Sequence, residues 1–325
     1  MPAFVLSRLA QAAIVLLAVS ALVFVGVFVI GNPVDVMINP MATQAEKLAV
    51  AQSLGLDQPM WMQYGRFLEG ALHADFGRSF LAGQPAMQLI FERVPATLEL
   101  AVTAILIATL VGVPLGLYAA VRPDAWISRA GMGLSIVGLS LPSFWIAIVL
   151  IMVLAVWAGA LPSSGRGETR ELFGIPWSFL TIDGLKHIVL PALTLALPKI
   201  ALLARLTRAA ATEVATSEYM QFARAKGLRR SRIVGVHMLR NLMVPLITVI
   251  GMEFGRLAAF SVITESIFAW PGAGKLLIDS ILQLDRPVVV AYVMVVVAFL
   301  VLLNLLLDLT YGVLDPRIRL QARAA

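Results

Sequence analysis

The sequence predicts an all-α polytopic membrane protein with six transmembrane helices and both termini in the cytoplasm. Three observations carry that reading. Of 325 residues, 60% are hydrophobic and only 14% charged, against roughly 45–50% and about 25% in soluble domains. Long uncharged runs recur, of the length, roughly 20 residues, that a helix needs to cross a bilayer core of about 30 Å. The net charge is +6, and the basic residues concentrate between alternate runs, as Lys and Arg do on the cytoplasmic side of membrane proteins. A soluble enzyme, a disordered chain and a nucleic-acid binder are excluded, because too little polar surface is available to cover such a chain.

The first span is expected at about 9–30, inside the uncharged run Leu9–Val34 between Arg8 and Asp35. This run is far longer than the apolar core of a signal peptide, and no small-residue cleavage pattern closes it, so it reads as a retained helix. The stretch 31–97 reads as a small, partly helical periplasmic lobe. It holds LGLDQPMWMQYGRFLEGAL from Leu54 to Leu72, with Pro59 near a helix start, and ADFGRSF at 74–80; a proline in the first turn forfeits no helical hydrogen bond. The bland alternative is an amphipathic element lying on the membrane face. The second span is expected at about 98–121. The third, at about 131–157, comes from the long run Ala130–Gly165.

The fourth span, about 187–206, contains Lys199 and a pair of prolines, Pro191 and Pro198, which fall on one face and predict a kink. The fifth, about 241–269, contains Glu253, Arg256 and Glu265; Glu253 and Arg256, three residues apart, lie on one helix face and can pair. The sixth is about 288–308, followed by a cytoplasmic tail, 309–325.

Between spans four and five lies the most informative loop, 207–240. With Lys199, Arg205 and Arg208 just before or within it, it carries Arg224, Lys226, Arg229, Arg230, Arg232 and Arg240. A helix is expected from Thr207 to Ala225, ended by Gly227 as a C-terminal cap. Then come a basic turn and a second helix from Ile233 that enters span five. Such a helix–glycine–helix across the cytoplasmic mouth suits docking of another protein. Equally, the bases could do no more than set topology and bind anionic lipid. Phe222 is expected to pack against the chain's own spans.

Catalytic motifs are missing. Gly274-Lys275 invites a phosphate-loop reading, but Ala269 and Leu276 break its G-x-x-x-x-G-K-[ST] spacing, so ATP binding is not expected. His73, His187 and His237 are far apart and there is no Cys, so no metal cluster and no cofactor are expected.

EYMQFARAKGL at 218–228, HMLRN at 237–241 and Pro245 resemble the cytoplasmic loop of binding-protein-dependent ABC importer permeases, and more narrowly the dipeptide/oligopeptide group. LGLDQP at 54–59, DFGRSF at 75–80, VPATLELA at 94–101, TESIFAWPGAGKLLIDSI at 264–281 and DLTYGVLDPRIR at 308–319 agree in order. The chain departs from the family where a Glu-Ala-Ala would precede the glycine: here stand Gln221, Phe222 and Ala223.

The resemblance implies a type I ABC importer permease fold with its core from 97 to 308, the first span and lobe (1–96) being a peptide-type addition. It implies a permease subunit that forms, with a homologous second permease, the path for di- or oligopeptides or a related small solute. Two cytoplasmic ABC ATPase subunits and a periplasmic or lipid-anchored solute-binding protein complete the implied complex, in the bacterial inner membrane. Glu218, Tyr219, Arg224, Ala225, Lys226 and Gly227 are the expected ATPase contact. Glu253, Arg256 and Glu265 are expected to line the path or to pair between helices. The competing readings are a stand-alone secondary transporter and an ABC permease for a non-peptide solute such as glutathione or a nickel chelate.

Overall fold

The computed structural model describes residues 2–29, 43–46, 52 and 57–314. The first-loop positions between them, including the LGL of LGLDQP, and the tail from 315 lie outside the described residues. Two compact units are present: residues 1–94 with 272–305, and 95–271 with 306–325.

In the first unit, α1 (Pro2–Val29) and α2 (Met60–Leu72) meet through aromatic rings. Phe24 lies 5.3 Å from Tyr64 and 5.8 Å from Phe67, and Phe67 lies 6.2 Å from Phe76. The buried Ser20 hydroxyl is 2.8 Å from the Tyr64 hydroxyl, so the one polar group on this stripe of α1 is satisfied. Pro59 sits at the N-cap of α2, at the expected helix start. The ADFGRSF stretch is a built turn. Asp75 Oδ1 accepts from Gly77 N at 2.9 Å, Gly77 takes a positive φ of 88°, and Ser79 donates to Asp285 at 2.5 Å. The core here joins the first turns of α3 (Ala86–Val121) to α10 (Ala273–Leu282) and α11 (Arg286–Leu314), through Ala86, Ile90, Ala273, Val288, Ala291 and Tyr292.

The second unit holds the remainder of α3, then α4 (Trp126–Ser140) and α5 (Ser143–Leu150), which runs on as a π-helical stretch, Ile151–Trp157. A two-stranded hairpin follows, β1 (Arg170–Leu172) with β2 (Ile175–Trp177), antiparallel with Leu172 opposite Ile175. Phe173 and Gly174, with φ of 57° and 74°, form its two-residue turn, the mirror-image turn that matches strand twist. Then come α6 (Ile182–Thr216), α7 (Glu218–Ala225), a single turn at Arg230–Arg232, a π-helical Ile233–Met238, α8 (Leu239–Phe260) and α9 (Val262–Ile267).

α6 is the central helix of this unit. It approaches α3 so closely that a Cβ on Gly112 would lie 2.9 Å from Ile200 O, and one on Gly116 would lie 2.3 Å from Ala204 O. Glycines four apart expose backbone on one face, which is how membrane helices pack without an aqueous hydrophobic drive.

Five helices are long and apolar enough to cross a membrane, or six if the bent pair Trp126–Ser140 and Ser143–Trp157 is one span. The single helix expected over 131–157 is therefore corrected to two, bent by 111°. Pro142 drives the preceding Leu141 into an extended conformation, ψ 133°. Span four extends beyond 187–206 at both ends and is uninterrupted at Pro191 and Pro198. The helix expected over 241–269 is broken at Ser261, and α11 outruns 288–308 at both ends. The hairpin and an isolated antiparallel bridge between Arg78 and Pro85 are the departures from an all-α fold among the described residues.

Candidate functional site: an exposed helix–glycine turn and the charges within the spans

The loop after α6 does not continue as one helix. Ser217 is extended, with ψ 149°, so the expected Thr207–Ala225 helix becomes α6 and a separate α7. α7 turns Met220 and Ala223 inward, into a cluster with Ala211, Ile233, Met238, Leu242 and Leu246. This seating fixes the helix on its own spans through a three-residue apolar spacing. The opposite face is open. Glu218, Tyr219, Arg224, Ala225, Lys226 and Gly227 are all exposed. Phe222 is exposed too, at 60%, with Lys226 Nζ 4.5 Å from its ring centroid. The expectation that Phe222 packs inward is thus overturned: Met220 occupies the inward stripe instead.

Gly227 closes α7 at φ 70°. Its N–H donates to Arg224 O at 2.9 Å, and Leu228 N donates to Ala223 O at 3.4 Å. This pair of reversed bonds is the Schellman motif, which needs a left-handed residue. Leu228 then packs on the same apolar cluster, completing the cap. Tyr219 Oη contacts His237 Nδ1, tying α7 to the π-helical entry of α8. Arg224 reaches back to Ala215 O at 3.2 Å. These contacts tie α7 to α6 and to the π-helical entry of α8.

Within the spans, Glu253 is 3% exposed. Arg256 Nη1 donates to its Oε1 at 2.9 Å, the expected pair. Sequence reasoning missed the second cation: Lys199 Nζ on α6 lies 2.5 Å from Oε2, an ion contact whose angles fall outside a hydrogen bond. The Arg256 side chain is 61% exposed and that of Lys199 only 23%, so Lys199 is the less screened partner. A signal existed, because Lys199 is the one charge in the apolar stretch Ile188–Ala204. Glu265 is fully buried and stands apart from this pair; its Oε1 accepts from Thr97 Oγ1 at 2.8 Å and Ser261 Oγ at 2.7 Å.

A further buried carboxylate was also missed. Glu99, 3% exposed, accepts from Arg166 Nη2 at 2.7 Å and from the backbone N–H of Ser178 and Phe179 at 2.6 and 3.0 Å. Arg166 also donates to Pro176 O and lies 5.7 Å from the ring of buried Trp270, whose Nε1 donates to Ala96 O. This network anchors the hairpin segment to α3. Glu99 ends the uncharged second run, but nothing in its spacing points to Arg166.

Residues 112–320 match the family model described as binding-protein-dependent transport system inner membrane component, and residues 1–101 match the model of its N-terminal region. The chain belongs to this family of ABC importer permeases. The permease is 38% identical to the dipeptide transport system permease protein DppB of Escherichia coli (strain K12), over 97% of this chain and 98% of that one. It is 35% identical to the oligopeptide transport system permease protein AppB of Bacillus subtilis (strain 168), over 98% and 99%. Its fold is similar to that of the MetNI methionine ABC transporter in an inward-facing conformation, with a TM-score of 0.55 and 19% identity over 70% of this chain and 97% of that one. The permease is accordingly a multi-pass inner-membrane transport component, not a catalytic subunit, of a class that functions with other subunits.

Proposed function

We propose that this permease forms, with a homologous second permease, the translocation path for di- or oligopeptides. Two cytoplasmic ABC ATPases supply the energy, since the Gly274-Lys275 sequence lacks phosphate-loop spacing, and a solute-binding protein delivers the peptide. The N-terminus and the tail 309–325 are cytoplasmic. The first span and periplasmic lobe (1–96) are an addition to a core at 97–308 whose loop 207–240 receives the ATPases. What supports the peptide class is near-full-length similarity to DppB and AppB.

The observation that carries the reading is the outward face of α7. Glu218, Tyr219, Arg224, Ala225, Lys226 and Gly227 stand exposed on a short helix seated between α6 and α8. A rigid body held this way passes a push from an ATPase into two spans at once. Glu253, Arg256 and Glu265 serve chiefly as interhelical fasteners, with Arg256, the exposed member, turned toward the path.

Gly227→Pro in the assembled transporter tests this. Proline cannot adopt a φ of 70°. The expected result is normal co-purification of all subunits but loss of peptide-stimulated ATP hydrolysis and of dipeptide uptake in proteoliposomes. Unchanged coupling would refute the docking assignment.

A further inference from the structure

We propose that the cleft between α4 and α6 at Arg205 and Arg208 is a binding site for the headgroup of an anionic membrane phospholipid. The cleft, of about 470 Å³, lies between Met132, Ser135 and Ile136 on α4 and Arg205, Arg208 and Thr212 on α6, with Ala209 and Glu213 completing its wall. It belongs to neither the α7 surface nor the Glu253 cluster.

Arg205 and Arg208 sit one turn apart on α6 and point into the same cleft. Neither makes a hydrogen bond or ion pair among the described residues. Elsewhere on helices of this unit, Arg129 is engaged with Asp124, Arg224 with Ala215 O and Arg256 with Glu253, while Arg232 and Arg240 are unengaged among the described residues but do not line this cleft. Two unengaged guanidiniums facing one cavity make a set of planar donors suited to a phosphate, which Arg binds in bidentate fashion. The lining keeps a net positive charge because Glu213 opposes two arginines.

Depth agrees with a headgroup. Arg205 lies 17 residues beyond Ile188, where the uncharged stretch of α6 begins, so about 26 Å along the helix at 1.5 Å per residue. That is the edge of a hydrocarbon core of about 30 Å, from which a long arginine side chain reaches the headgroups. The α4 wall is mostly apolar, through Met132 and Ile136, and offers acyl chains a surface beside the phosphate. Basic pockets between spans on the cytoplasmic side hold anionic lipid in this way. The inference rests on the cytoplasmic placement of this end of α6.

The test uses the assembled transporter and phosphatidylglycerol. Native mass spectrometry after titration with phosphatidylglycerol or phosphatidylcholine should show one tightly retained phosphatidylglycerol per copy of this permease. In Arg205→Gln with Arg208→Gln, its apparent affinity should fall about tenfold or more. Ala209→Trp keeps both charges and fills the cleft, and should lose the lipid equally. Retention unchanged in either variant overturns the site. Displacement of the lipid by inorganic phosphate at matched ionic strength overturns the lipid as its occupant. A Ser231→Cys label, reactive only in opened cells, verifies the placement separately. Failure of the lipid site would leave the docking test of Gly227→Pro untouched.

Discussion

Glu253 is held by one screened and one sheltered cation, and the two are unequal. Exposed ion pairs contribute under about 1 kcal/mol, so Arg256→Gln should lower the thermal midpoint of the purified complex little. Removing one partner of a buried pair costs roughly 3–5 kcal/mol, because the remaining charge is left uncompensated. Lys199→Met should therefore destabilise far more than Arg256→Gln, and adding Glu253→Gln should restore most of the loss. Equal effects of the two cations in melting curves would contradict the exposures seen. The pairing of Glu253 with Arg256 was legible in the sequence because both lie on one helix, where spacing fixes proximity. Lys199 was not, because it lies on another helix and only packing of α6 against α8 brings it near. Gly227 adds a second residue-scale case. No atom lies within 4 Å of a Cβ placed there, so Gly227→Ala meets only left-handed backbone strain, about 1–2 kcal/mol. It should keep measurable coupling where Gly227→Pro loses it, as stimulated ATPase rates would show.

At the scale of elements, α3 and α6 meet backbone to backbone at Gly112 and Gly116. A Cβ at 116 would press on the Ala204 carbonyl, which cannot swing aside as a side chain can. Gly116→Leu should force the helices apart and cost several kcal/mol, more than ordinary overpacking of about 1–3 kcal/mol. Expression and assembly, followed by co-purification, should fall sharply, while Gly133→Leu, in open space, should be tolerated. Prolines show why element boundaries resist sequence reading. Pro114, Pro191, Pro198 and Pro245 lie inside continuous helices, yet Pro142 separates two. Each removes the same N–H. What differs is whether the preceding residue stays helical, and for Leu141 it does not.

Across the whole molecule, orientation is the property that charge decides. Thr169→Cys in this cysteine-free chain should react with an impermeant thiol reagent added outside cells, and Ser231→Cys only after opening them. The reverse pattern would invert the arrangement of every loop. The Glu99–Arg166 network belongs to this scale because it joins distant parts of the chain. Arg166→Met leaves Glu99 buried with only the backbone N–H donors of Ser178 and Phe179; it should destabilise the complex by roughly 3 kcal/mol, read in the same melting curves.

The sequence by itself determined the class of solvent and five of the apolar spans, the sixth being the pair bent at Leu141-Pro142. Hydrocarbon thickness and the cost of burying charge act on local composition, which any linear reading can see. It also located α7's glycine stop and the exposed loop charges, since caps and helix faces are set within a few residues. Tertiary structure alone decided that Met220 rather than Phe222 faces inward, that Ser217 divides the loop helix, that Lys199 reaches Glu253, and that Arg166 finds Glu99. Each of these depends on which surface a neighbouring element presents. That is a property of packing between residues tens of positions apart, and hydrophobic period and spacing carry no record of it.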